Sequence, residues 1–170
     1  MGGQGVTLGV ERHEGLARSS PWNNKYSDAV TTINALLKDI IGVENYRWSS
    51  VDIGKNTVLK PQTKVDHLGK TLTFLIGNFT GGRFRIVDNT CVLTEPNEIL
   101  IYDASKPHLS EPHTGVRLSV TVYYHRLAHS LSLSEKTRLN SLGFHLDPIV
   151  QSTSSTMGTN QPVDPLTASP

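Results

Sequence analysis

Asp103-Ala-Ser-Lys-Pro-His-Leu-Ser-Glu-Pro-His-Thr-Gly-Val-Arg117-Leu-Ser-Val-Thr-Val-Tyr-Tyr124 is the stretch on which the fold turns. His108 follows the apolar run Ile99-Leu-Ile-Tyr102 and the turn formers Asp103, Ser105 and Pro107, so it falls where a chain leaves a strand. Arg117 then opens the run Leu118, Val120, Val122, Tyr124, whose period of two marks a half-buried strand. A histidine ending one strand and an arginine entering the next can face one cavity. There the first suits a metal and the second a carboxylate.

Strand signals continue upstream of this stretch. Lys70 to Ile76 alternates and runs into Gly77-Asn-Phe-Thr-Gly-Gly82, read as a glycine-rich turn. Phe84 to Val87, Cys91 to Thr94 and Ile99 to Tyr102 are short strands parted by Asp-Asn and Glu-Pro-Asn turns. Trp48 to Ile53 is an earlier strand with a turn at Gly54 to Thr57, and Val6 to Val10 suits an outer strand. Many short strands at regular spacing predict a mainly β architecture, a jelly roll or related barrel.

Two helices buttress it. Ser27 to Ile41 carries Val30, Ile33, Leu36, Leu37, Ile40 and Ile41 at helical spacing, with Ser27 or Asp28 as cap and Gly42 after its end. Ser132 to Leu142 is shorter, capped near Ser134. Beyond Pro148 the chain is Ser, Thr and Pro without Lys or Arg, so we divide it into a domain, residues 1–148, and a tail without a core, residues 149–170.

With 16 Lys and Arg against 15 Asp and Glu, the formal charge of +1 gives no electrostatic case for nucleic acid or membrane. Lys55, Lys60, Lys64, Lys70, Arg83 and Arg85 can form only a local basic patch, which is weak support for nucleic-acid binding. The single cysteine, Cys91, excludes a disulfide within the chain and reads as a buried hydrophobe. No apolar run is long enough to span a bilayer and no signal-peptide core opens the chain, so an intracellular protein is expected. His113, His125 and His129 have no metal-motif spacing and read as surface or sheet-face residues.

The run Lys60-Pro-Gln-Thr-Lys-Val-Asp-His-Leu-Gly69, followed by Leu72-Thr-Phe-Leu-Ile-Gly-Asn-Phe-Thr-Gly-Gly-Arg83, resembles Fe(II)- and 2-oxoglutarate-dependent dioxygenases. The branch it looks most like is the one related to the TET and JBP nucleic-acid oxygenases. Lys106-Pro-His108, Pro112, Gly115-Val-Arg117 and Ser119 match that branch's second motif at the same spacings. The resemblance implies a double-stranded β-helix. It also implies iron on two histidines and one carboxylate, with His108 as the distal histidine and Arg117 clamping the far carboxylate of 2-oxoglutarate.

The first motif departs from the pattern. Gln62 stands at the first histidine position and Lys64 at the carboxylate position. An amide oxygen is a poor iron ligand and an ammonium is none. Asp66 alternates onto the face of Gln62 and Lys64, one strand step deeper, whereas His67 is expected on the opposite face. Lys64 is read either as a cation standing in for the metal near Asp66 or Asp103, or as reaching solvent. Arg117 is read as bridging Asp103 or Glu111, or as binding an anion. The expectation is a catalytically inactive dioxygenase-like domain acting as a structural or protein-binding module, such as a subunit of a larger assembly or shell. It has a protein partner or self-assembles, and needs no cofactor. The alternatives are an active hydroxylase of nucleic acid or protein using Fe(II) and 2-oxoglutarate, and a metal-free binder of an anion or nucleic acid.

Overall fold

The computed structural model describes residues 3–42, 46–88 and 92–146. The readings of Cys91 and of the tail fall outside the described residues. The chain forms β1 (Gln4–His13), β2 (Leu16–Ser19), α1 (Trp22–Lys25), α2 (Ser27–Ile41), β3 (Ser50–Lys55) and β4 (His67–Gly81). There follow β5 (Phe84–Ile86), β6 (Val92–Leu93), β7 (Ile99–Asp103), β8 (His108–Ser110), β9 (His113–His125) and α3 (Leu133–Ser141). All strand pairs are antiparallel and make two sheets, ordered β2-β1-β3-β9-β4-β7 and β6-β5-β8. This is a jelly roll, the mainly β class expected from the sequence.

The period of two sorts each strand of the large sheet between its faces. Leu8, Val51, Leu72, Phe74, Val120 and Val122 face outward and are sealed by Val30 and Leu37 of α2, Leu139 of α3, and Trp48 and Phe144. A smaller core lies inside, around Leu75, Phe84, Ile86, Leu93, Tyr102 and Ala104. α2 is anchored by a polar residue that periodicity passes over: Asn34 accepts from Trp48 Nε1 at 2.8 Å and donates to the Leu142 carbonyl at 2.9 Å. Among the described residues no helix is long and apolar enough to cross a membrane.

Several sequence-based boundaries shift. The segment at Gly77–Gly82 is not a turn: β4 runs on to Gly81 because β9 supplies a partner for every residue to Gly81↔His113. Its glycines answer a different need. A Cβ on Gly77 would lie 2.3 Å from the Val116 carbonyl oxygen, and one on Gly115 equally close to that of Asn78. β1 is interior, with β2 taking the outer place through the two-residue reversal Glu14–Gly15, both at positive φ. β3, expected over Trp48 to Ile53, begins at Ser50 and runs past Gly54, turning at Asn56. Neither Ser27 nor Asp28 caps α2, since Tyr26 holds that position without a side-chain bond. α3 is capped by Ser132, which forms a reciprocal capping box with Glu135.

Candidate functional site

His108 opens β8, and the chain from Leu59 to Lys64 runs antiparallel beside it. Gln62 and His108 exchange both backbone bonds, at 3.0 and 2.9 Å, and the Lys64 N–H reaches the Ala104 carbonyl at 2.9 Å. Residues opposed in this way project side chains to the same face. Pro61, Thr63 and Val65 are exposed while Gln62 and Lys64 are half-buried, as alternation requires. The three positions singled out in sequence therefore meet. Gln62, Lys64 and His108 line one cavity of about 230 Å³ between the sheets, with Asp52, His67 and Tyr102.

His108 is buried, its ring against Phe84 and Tyr102 at 5.6 and 5.4 Å between centroids. Its Nδ1 lies 2.9 Å from the Lys106 carbonyl. A carbonyl only accepts, so Nδ1 carries the proton and Nε2 keeps a free lone pair. Burial holds the imidazole below its ordinary pKa, helped by the Lys64 charge and opposed by the Lys106 carbonyl.

Two cavity residues escaped the sequence reading. Asp52 sits on β3 inside an ordinary alternating strand, with no motif around it. Its carboxylate accepts from Thr7 Oγ1 at 2.7 Å and the Tyr123 hydroxyl at 3.2 Å. Burial pushes its pKa up, with Thr7, Lys64 and Tyr123 pulling the other way. His67 was expected to point away, but a turn at Val65–Asp66 breaks the alternation and brings it in. It stacks on Tyr123 at 3.6 Å between centroids and meets Thr71 Oγ1 at 3.0 Å. Burial, then the neighbouring charge of Lys64, lowers its pKa to about 3, so it is neutral.

Other expected partnerships do not form. Asp66 does not continue the inward row; it pairs with Arg12 at 2.6 Å in a neighbouring polar pocket that also reaches Lys64. Asp103 accepts from the Ser105 N–H at 2.9 Å in an exposed turn. The charge of Lys64 instead falls on Asp52, His67 and His108.

Arg117 bridges neither Asp103 nor Glu111. Glu111 is taken by Arg83 at 2.9 Å and Arg85 at 3.2 Å. Arg117 is buried, and its guanidinium donates to the carbonyls of Gly82 and Thr57 and to Ser110 Oγ at 3.3 Å. It is not among the residues lining the cavity. Among the described residues, three buried side-chain polar atoms have no hydrogen-bond partner: Gln62 Nε2, His113 Nδ1 and Arg117 Nε. Of these residues, Gln62 faces the cavity.

The cavity holds His67, His108 and the Asp52 carboxylate, but at the three positions that the resemblance assigns to the metal it offers one imidazole, His108, beside the Gln62 amide and the Lys64 ammonium. It does not fit iron held by two histidines and a carboxylate, nor 2-oxoglutarate clamped by a free guanidinium. Among the described residues no three His, Cys, Asp or Glu converge as a metal site.

No family model matches the sequence. No curated protein matches it either. Among solved structures, a 2OG-Fe(II) oxygenase family oxidoreductase from Burkholderia pseudomallei superposes with a TM-score of 0.51 at 13% identity, covering 74% of this chain and 69% of that one. OsALKBH1 gives 0.39 at 16% identity over 72% and 78% of the two chains. An RmlC-like cupin protein from Desulfovibrio desulfuricans gives 0.33 at 16% identity over 48% and 76%. The chain thus shares the jelly-roll fold of that oxygenase-family structure.

Proposed function

We propose that this domain keeps the dioxygenase fold without oxygenase chemistry, and serves as a structural or protein-binding module in a larger assembly. The carrying observation is the pairing of Gln62 directly opposite His108, with Lys64 two residues on along the same face. In the TET/JBP-related branch that the sequence resembles, these are the three metal-ligand positions. Here one ligand is kept, one is a weak neutral donor, and one carries the same sign of charge as the metal. The second support is Arg117, whose two Nη groups donate to the Gly82 and Thr57 carbonyls and which is not among the residues lining the cavity. The test is to incubate the protein aerobically with Fe(II), 2-oxoglutarate and ascorbate and to follow succinate by NMR. Succinate at the level of the protein-free control is expected. Sustained formation above it would restore the hydroxylase reading.

A second reading, a metal-free pocket for a small ligand, is favoured by the unpartnered Gln62 Nε2. That donor, the Lys64 ammonium and the His108 Nε2 acceptor together suit a small hydroxy acid or similar anion. Chemical-shift changes at Gln62 on adding 2-oxoglutarate without metal would favour it. Nucleic acid is less well served, since Arg83 and Arg85 of the basic patch are both paired with Glu111.

A further inference from the structure

The cavity between the sheets is lined by two opposite charges that do not meet. Asp52 comes from β3 of the large sheet, whereas Lys64 comes from the segment that pairs with β8 of the small one. The Lys64 charge is felt at Asp52, where it pulls against the rise in carboxyl pKa that burial causes. Yet among the described residues the two form no ion pair, and no acceptor takes the Lys64 ammonium. Thr7 and Tyr123 both donate to Oδ1 of Asp52, so Oδ2 is left to accept. Separated charges in a half-buried cavity lose solvation without gaining a partner, and a ligand that supplies both partners offsets that cost.

Neutral groups complete the pattern. Gln62 Nε2 is a donor without an acceptor, and His108 Nε2 keeps its lone pair because Nδ1 is engaged by the Lys106 carbonyl. Two donors, Lys64 and Gln62, thus share the cavity with two acceptors, Asp52 and His108. Val6, Ile53, Leu59, Phe84 and Tyr102 supply apolar lining. The volume of about 230 Å³ calls for a small occupant, since pockets for drug-sized ligands hold roughly 300–1,000 Å³. Thr7, Asp52, Lys64 and His67 also line the outer polar pocket of Arg12 and Asp66, so the two charges stand where the cavity meets that pocket.

We infer that the cavity takes a small zwitterion, an α-amino acid with an apolar side chain, its carboxylate on Lys64 and Gln62 and its ammonium on Asp52 and His108. A simple anion leaves Asp52 facing a like charge, and a simple cation does the same to Lys64. A ligand bearing both charges satisfies both walls, and its ammonium has donors enough for both acceptors. This rests on the second reading above, a metal-free ligand pocket, and narrows its ligand from an anion to a zwitterion.

The experiment is titration of the ¹⁵N-labelled full chain without metal, followed by amide chemical shifts. Alanine, valine, leucine, methionine and phenylalanine are the probes, each compared with its 2-hydroxy acid and its decarboxylated amine. At least one amino acid is expected to shift Gln62 and Asp52 and to bind at least about tenfold more tightly than either analogue. Asp52→Asn should erase the preference over the hydroxy acid, and Lys64→Met should weaken the amino acid at least about tenfold. Equal or tighter binding of the hydroxy acids would overturn the zwitterion and leave the anion pocket standing. No binding by any probe or analogue would overturn both. A preference that survives in folded Asp52→Asn would also overturn the inference, and the wild-type comparison decides it where that variant does not fold.

Discussion

Replacing Arg117 with Met separates a structural arginine from a ligand clamp. The side chain is buried and ties two otherwise separate backbone points, the carbonyls of Gly82 and Thr57, to β9. Methionine fills much of the same volume but donates nothing, so both carbonyls lose their donor. An orphaned buried acceptor costs about 1–3 kcal/mol, which sets a range of about 2–6 kcal/mol for the pair. Removing a buried charge, whose pKa burial already lowers, gives some of this back. We expect a net loss of about 2–4 kcal/mol, and with a urea slope of about 1–3 kcal/mol per molar the midpoint falls by about 1–2 M. Arg117→Lys should recover only part of it, since one ammonium lacks the fork that spans both carbonyls. The assay is equilibrium urea unfolding followed by Trp fluorescence, with Trp48 buried in the main core as reporter. A change within about 0.5 kcal/mol, as at an ordinary surface site, would refute the structural role and return Arg117 to the list of ligand-binding residues.

Acid should weaken the fold through its histidines. His67, His108 and His125 all have pKa values lowered mainly by burial, so each is neutral when folded and takes up a proton on unfolding below its ordinary 6.5. Stability contributed by these groups is present above pH 6.5 and is lost as pH falls, for His67 down to about 3. The slope is up to about 1.4 kcal/mol per pH unit for each residue, and His67→Gln should flatten the pH dependence of Tm. An unchanged profile would contradict the burial of His67. Gly115→Ala should cost about 1–3 kcal/mol in strain alone, because φ there is +88° and the new Cβ would meet the Asn78 carbonyl. A neutral result in thermal unfolding would show that the β4–β9 pair can open at this point.

How much of this was legible in sequence depends on whether the signal was local. The alternation from Leu118 to Tyr124 and the helical spacing from Val30 to Ile41 are properties of one strand and one helix, and both elements form where periodicity puts them. The meeting of Gln62, Lys64 and His108 was also legible, through the family resemblance that sets them at one site, and the three line one cavity. Asp52 was not, because a carboxylate in an alternating strand carries no mark of the cavity until β3 is placed beside β9. His67 was misplaced because a turn two residues before it resets the alternation. The glycines at 77 and 81 were read as a reversal, whereas close approach to Val116 of β9 demands Gly77 and a positive φ favours Gly81 within a continuing strand. Arg117 was given carboxylate partners by proximity in sequence, but Glu111 is held by two other arginines.

The central claim concerns the pair Gln62 and Lys64, and it is tested most directly by anaerobic Fe(II) titration of the wild type and of Gln62→His/Lys64→Asp, with and without 2-oxoglutarate. Because residue 62 lies directly opposite His108 and residue 64 shares its face, the double variant should gain a two-histidine, one-carboxylate site and bind one iron per chain. The wild type should bind none. Tight iron binding by the wild type, or none by the double variant despite an intact fold, would contradict the claim.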